Sequence, residues 1–295
     1  MITSLAVREN GGLLVASHKG INHFNFNDDG LTRILEPEKN LQENRCNDGA
    51  SDRMGRFWFG TMQNNISPQA TNLPIEKNSG SLYRLDPDLS LNQMETGIGV
   101  SNTLAWSPDN SVMYFSDTRK ESLYAYDYDI ETGSIANRRV IVDTSDKPFR
   151  IDGATVDSDG NYWCAMVHDW AIGKYDPNGT LLERVELPVR QPTMCTFGGS
   201  DLDVLYVVSA TRFLEPGEAE KQPLAGALFA ITGTGALWAW GNGRFGQLGH
   251  GNMQGQLVPR RVEALAAERV VQVAAGSGHT VAATSTGALW AWGSG

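Results

Sequence analysis

Cysteine is scarce in this chain: there are three, Cys46, Cys164 and Cys195, at wide spacing and with no Cys-x-x-Cys. An odd, scattered set excludes a disulfide framework and a cysteine-built zinc site, and reduced thiols in a cytoplasmic protein are expected. Long apolar runs are missing as well. No 18-residue apolar stretch occurs and no charged-then-apolar leader opens the chain, so neither membrane insertion nor export is written in it. Positive charge is in deficit. The net charge of −10 argues against a general binder of nucleic acid or anionic membrane. Helical periodicity is the last absence: no convincing 11-residue window repeats at 3.6 residues.

What remains is strand and turn. Runs of four to seven residues, many of them alternating, are split by Gly, Asp and Asn clusters from Ser4 onward. Leu13–Ser17 and Gly20–Phe26 are early examples. One grammar recurs. Asp152-Gly153 precedes a short apolar strand, 154–156, then the turn Asp157-Ser-Asp-Gly160, then a second strand, 161–166. Asn47-Asp-Gly49, Ser101-Asn102 and Pro192-Thr193 open similar units. A further strand of common type follows in each: 80–86, 122–127, 172–176 and 226–231. With a start near Ser4, this makes five units of roughly 40–50 residues, the length of a four-stranded propeller blade. A rigid turn would hold Asp152 at the start of its strand, well placed to act.

At Thr232 the text changes. Thr234–Gly241 (TGALWAWG) recurs letter for letter as Thr286–Gly293. Residues 232–295 hold Arg244, Arg260, Arg261 and Arg269 against Glu263 and Glu268, a net of +2 that leaves −12 for the rest. A new repeat, a charge shift and a composition shift at one point mark a junction between 1–231 and 232–295.

Residues 1–231 resemble the gluconolactonase / senescence-marker-protein (regucalcin) family. The resemblance is carried by Arg45-Cys-Asn-Asp-Gly49 with Gly60-Thr-Met62, by Gly80-Ser-Leu-Tyr-Arg84 and by Val100-Ser-Asn-Thr-Leu-Ala-Trp-Ser-Pro-Asp109. Ile151-Asp-Gly153 and Cys195-Thr-Phe-Gly-Gly199 extend it. It implies a six-bladed β-propeller that holds one divalent metal and hydrolyses sugar lactones. It also implies Asn102 and Asp152 as metal ligands, Asp152 as general base, and Arg45 and Asn47 as substrate contacts. Oxygen donors of this kind suit Ca, Mg or Mn, with Zn more often preferring His or Cys. The segment 232–295 resembles the repeats of the regulator-of-chromosome-condensation family, through its Leu-Trp-Ala-Trp-Gly, Gly-Gln-Leu-Gly and Val-Val-Gln-Val-Ala-Ala-Gly runs.

Two departures shape the expectation. The family's Gly-Glu-Gly-Pro motif, whose Glu is a metal ligand, occurs nowhere here, and Gln63-Asn64-Asn65 stands where an acidic pair often follows Gly-Thr-Met. The family's first blade, which carries that motif, is read as missing, and the expected architecture is therefore all-β: five lactonase-type blades plus one foreign blade that completes a six-bladed ring, in a built or shuffled chimera. The expected function is that of a hybrid propeller scaffold with weakened divalent-metal binding and little or no activity. The alternative is an active metal-dependent sugar lactonase. Either would be a monomer without nucleic-acid or membrane partners.

Other residues receive plainer readings. His168 and Asp169 are adjacent and point apart in an extended segment, so they read as a surface loop. His279 belongs to the tail's own repeat. Cys46 lacks a neighbouring His or Lys and reads as an inert thiol. The twin Leu-Trp-Ala-Trp strands read as packing between blades. Glu263 and Glu268 are the tail's only carboxylates, and neither sits in a Gly-Glu-Gly-Pro-like turn.

Overall fold

A computed structural model describes residues 1–69, 71–212, 214, 217–222, 224–232, 238–241, 244, 248–265, 270–275, 279–284 and 288–293. Two compact units divide the chain: Met1–Lys147 with Ser158–Gly160, and Pro148–Asp157 with Asn161–Gly295.

The first unit holds three four-stranded antiparallel meanders. They are β1 (Ile2–Val7), β2 (Leu13–Ser17), β3 (Gly20–Asn25) and β4 (Gly30–Leu35); β5 (Asn44–Ser51), β6 (Phe57–Gln63), β7 (Gly80–Leu85) and β8 (Leu91–Ile98); and β9 (Ser101–Trp106), β10 (Val112–Asp117), β11 (Ser122–Asp129) and β12 (Ser134–Asp143). The second unit holds a fourth such sheet, β13 (Arg150–Val156), β14 (Tyr162–Val167), β15 (Ala171–Tyr175) and β16 (Leu181–Glu186). A three-stranded sheet follows, β17 (Pro192–Gly198), β18 (Val204–Ser209) and β19 (Leu228–Thr232). Up-and-down sheets of this size in unbroken succession are propeller blades. The fold class is all-β, of propeller type, with five blades.

The hairpin turns explain themselves chemically. Asp52 Oδ1 accepts the backbone N–H of Met54 at 2.9 Å and of Arg56 at 3.0 Å, closing the β5–β6 turn. Its Oδ2 accepts from Arg56 Nε at 2.7 Å, Trp58 Nε1 at 3.0 Å and Tyr128 OH at 2.6 Å. The β13–β14 turn repeats the device. Asp157 accepts Asn161 N–H at 2.8 Å, Trp163 Nε1 at 2.9 Å and Lys174 Nζ at 3.2 Å. The Asp-x-x-Gly-x-x-Trp spacing thus makes one carboxylate accept from both the turn's backbone amide and the indole N–H.

Within each unit the core lies between successive sheets. In β6, Phe57 and Phe59 face Ala16 and Ile21 of the first sheet, while Trp58 faces Leu104, Met113 and Phe115 of the third. The two-residue side-chain period of a strand produces this split, and each such ring stabilises the fold by ~1.5–3 kcal/mol. In the second unit Ala165 and Ile172 pack on Cys195, Leu205 and Val207.

The tail contributes further strands. Its described residues form a pair, β20 (Trp238–Gly241) with β21 (Gln256–Arg261), and a separate sheet, β22 (Val270–Ala275), β23 (His279–Thr284) and β24 (Leu289–Gly293). One four-stranded foreign blade is not among these sheets. The backbone of β22 instead lies beside β16. Trp292 packs on Val262, Leu265 and Ala282, whereas Leu289 is 76% exposed and Trp290 38% exposed. Glu263 opens a short 3-10 turn, Glu263–Leu265. Glu268 and the side chain of His279 lie outside the described residues. Among the described residues no helix is long and apolar enough to cross a membrane.

Candidate functional site

The first strand of every blade carries a β-bulge, and the bulges fall on or beside the residues that the sequence marks as unit starts. In β5, Cys46 pairs with Thr61 and Gly49 with Phe59, so Asn47 and Asp48 together face one residue. In β9, Asn102 pairs with Ser116 and Leu104 with Phe115, leaving Thr103 over. In β13, Ile151 pairs with Met166 and Ala154 with Cys164, so Asp152 and Gly153 share one partner. The same slip occurs at Thr3 in β1 and at Thr193 in β17. Bulges interrupt the ladder and re-aim the side chains that they carry.

This corrects the turn reading of Asp48-Gly49 and Asp152-Gly153. Both pairs lie inside strands, not in turns ahead of them. Their glycines serve close approach. A Cβ on Gly49 would lie 2.6 Å from Ser4 Oγ, and one on Gly153 would lie 2.2 Å from Met194 Sδ and 2.8 Å from the Thr193 carbonyl oxygen. Asp-Gly suits a bulge beside a neighbouring strand as well as it suits a turn.

In the first unit the bulges of β5 and β9 are joined by a polar chain. Arg45, 6% exposed, donates from Nη1 to the Cys46 carbonyl at 2.9 Å and to Asn47 Oδ1 at 2.7 Å, and from Nη2 to Asn65 Oδ1 at 2.9 Å. Asn47 Nδ2 donates to the Ser101 carbonyl and to Asn102 Oδ1, both at 2.7 Å. Asn102 Nδ2 donates to Thr118 Oγ1 at 2.7 Å. Each amide therefore has a definite orientation, with its oxygen toward a donor and its nitrogen toward acceptors. Three of the four residues proposed from sequence, Arg45, Asn47 and Asn102, are thus brought together in one unit.

Asp48 and Thr103 complete this group; Asp48 stands at a unit start in the sequence, as Asn47 does, whereas Thr103 is not marked there. Thr103 is fully buried and has φ of 53°, a left-handed backbone that costs a β-branched residue roughly 1–3 kcal/mol. Asp48 accepts the N–H of Gly49 at 2.8 Å and that of Thr103. Burial pushes its carboxyl up to about 6, against the opposing pull of those two amides. A small open cleft adjoins Arg45, lined also by His18, Lys19, Glu38, Asn44 and Thr61. Cys46 is 2% exposed and burial pushes its thiol up to about 12, which agrees with the inert reading.

In the second unit Asp152 is half-buried in the β13 bulge. His168 faces Gln191 Nε2 at 3.0 Å, and Asp169 pairs with Arg184 at 3.2 Å. The two side chains serve separate loop contacts, so no His–carboxylate pair forms.

A hard dication takes 6–8 oxygen ligands, carboxylates prominent among them. Among the described residues, no three His, Cys, Asp or Glu side chains are grouped to hold a metal. The group of Arg45, Asn47, Asn102 and Asp48 offers carboxamide oxygens and one carboxylate, that of Asp48. An all-oxygen set fits a hard cation in kind, with little charge to hold it.

Fold and bulges together define a class: a β-propeller whose blades bulge polar residues out of their first strands. The chain belongs to the family described as SMP-30/Gluconolactonase/LRE-like region, whose model matches residues 1–211. It is 35% identical to regucalcin of Oryctolagus cuniculus over 235 residues, 79% of this chain and 77% of that one. A crystal structure of luciferin-regenerating enzyme superposes with a TM-score of 0.70 at 31% identity, covering 80% of this chain and 78% of that one. A calcium-binding regucalcin from Agrobacterium tumefaciens superposes at 0.72 with 29% identity, covering 79% and 76%. Residues 234–283 match the regulator of chromosome condensation (RCC1) repeat.

Proposed function

We propose that this chain is a hybrid propeller on a sugar-lactone hydrolase framework, one that keeps a polyol-recognition group but binds divalent metal weakly and turns over little or no lactone. The observation that carries this reading is the contrast in the first unit. The chain Asn65–Arg45–Asn47–Asn102–Thr118 is complete, yet its oxygens are those of carboxamides and a hydroxyl, and none belongs to a carboxylate. Asn102 is proposed as an oxygen donor to a divalent cation, Ca, Mg, Mn or Zn. Asp152 is proposed as an oxygen donor and as general base. A bound ion would supply Lewis-acid polarisation of a lactone carbonyl. Arg45 donates to ring hydroxyls or to the developing oxyanion, held in place by Asn47 and Asn65. Asp152 takes the proton of the attacking water. The sixth blade is proposed to be supplied by the tail, and the protein to be a cytoplasmic monomer without nucleic-acid or membrane partners.

The second reading is an active lactonase. The preset hydrogen bonds of Arg45 and Asn47 favour it, because a fixed recognition group needs no reorganisation on binding. The two readings part in one assay: hydrolysis of sugar lactones with added Ca²⁺, Mn²⁺ or Zn²⁺, for the protein and for Asp152→Ala. Turnover far below the ordinary ~1–10³ per second, little changed in the variant, supports the hybrid. Metal-dependent turnover in that range, abolished by Asp152→Ala, establishes the enzyme instead.

A further inference from the structure

Two consecutive residues of one bulge grip three consecutive residues of the next strand. Asn47 Nδ2 holds the Ser101 carbonyl and Asn102 Oδ1, both at 2.7 Å. Asp48 takes the N–H of Thr103, the residue held at φ of 53°. Thr103 sits between Asn102 and Leu104, at the point where the β9–β10 ladder slips. A β-branched residue does not adopt a left-handed backbone unless its surroundings impose it. The fully buried Thr103 N–H also requires an acceptor, because an unpaired buried amide is disfavoured. The Asp48 carboxylate meets both needs. Relaxing Thr103 to an extended backbone would rotate the peptide that links it to Asn102, and with it the direction of the Asn102 carboxamide.

We propose that Asp48 is a positioning residue, whose carboxylate locks the Thr103 bulge across strands and so fixes the direction of the Asn102 side-chain oxygen. The proposal rests on the reading of Asn102 as a cation donor for its functional meaning, but the lock itself is a property of this chain alone. Asp48 acts through Thr103, since its contacts here are backbone amides. Asn47 holds the Asn102 side chain directly, so Asp48 and Asn47 control backbone and side chain of the same donor separately.

The test has two readouts on the full chain: amide hydrogen exchange at Thr103, and Mn²⁺ affinity by titration. Asp48→Ala should lose at least tenfold of the exchange protection at Thr103, while the N–H groups of Ala105 and Trp106 keep theirs. Mn²⁺ binding should weaken ~10–100-fold, as when a group supporting a metal ligand is removed. Asp48→Asn retains a side-chain oxygen to accept the bond and should keep most of both. Unchanged protection at Thr103 in Asp48→Ala overturns the lock, and so does equal damage by Ala and Asn. If the unmutated protein binds no Mn²⁺, the donor reading of Asn102 fails while the exchange readout still decides the lock. Should Asp48→Ala not fold, the double variant with Thr103→Gly, which takes positive φ without strain, gives the same readout at that position. Protection there equal to that of Thr103→Gly alone overturns the proposal.

Discussion

Asn47 donates its side-chain N–H to Asn102 Oδ1 at 2.7 Å, joining two strands 55 residues apart in sequence. The same nitrogen reaches the Ser101 carbonyl, and the Asn47 oxygen accepts from Arg45. Asn47→Ala therefore strips partners from three buried groups at once. The expected cost is about 1–3 kcal/mol, read as a lower urea midpoint at an unchanged slope. A variant as stable as the parent would show that water replaces Asn47 without loss.

Gly60 admits the next strand. A Cβ there would fall 1.5 Å from Ser101 Oγ and 2.2 Å from Ser101 Cβ, so Gly60→Ala forces the strands apart. A loss of about 1–3 kcal/mol is expected. Ser101 Oγ is buried without a hydrogen-bond partner among the described residues. Ser101→Gly thus removes the clash without breaking a bond, and the double variant should recover part of the loss. Additive losses would locate the clash elsewhere.

The two turn aspartates differ in burial, and their variants should differ with it. Side-chain exposure is 1% for Asp52 and 7% for its partner Arg56, against 14% for Asp157 and 21% for Lys174. Removing Asp52 leaves a buried guanidinium, an indole N–H and a phenol without this acceptor. Asp52→Ala should cost about 3–5 kcal/mol, and Asp157→Ala distinctly less, because Lys174 can reach water. Equal melting-temperature losses would contradict this ordering.

His168 supplies a pH dependence. Burial, with Arg190 and Arg150 nearby, lowers its pKa, and Glu218 opposes the shift. Its neutral ring faces Gln191. A folded-state value below the unfolded ~6.5 means that the unfolded chain binds the proton first. The stability from this group is then complete above pH ~6.5 and is lost as pH falls toward the folded value. His168→Gln should flatten that slope. Asp48, pushed up to about 6, acts in the opposite sense: its fold favours the protonated form, so stability from it falls as pH rises from about 4 to 6. Both the parent and the His168 variant carry Asp48, so their difference isolates the histidine. Parallel stability–pH curves for the two proteins would refute the assignment.

All three cysteines are buried, and burial raises the pKa of each thiol. Ellman's reagent should label none in the native protein within minutes and all three in denaturant. Fast native labelling of Cys46 would contradict its burial within β5 and show a reactive thiol.

Local sequence settled the all-β character, the blade rhythm and the change of text at Thr232. Two-residue alternation, Asp-Gly turns and the Asp-x-x-Gly-x-x-Trp spacing are properties of neighbouring residues, and they act before any distant strand arrives. Strands 80–86, 122–127 and 172–176 accordingly emerge within a residue or two of β7, β11 and β15. Tertiary structure decided the rest. Whether Asn47-Asp-Gly49 turns the chain or bulges within a strand depends on the register of β6, because Asp-Gly suits both. The left-handed Thr103 carries no mark in sequence, since a threonine there is strained and stands only where the finished fold around it imposes that backbone. The tail's repeat is just as plain in sequence, yet its strands pair as β20–β21 and β22–β24. Identical segments share local propensity, but strand pairing is chosen by whichever edges the finished fold leaves within reach.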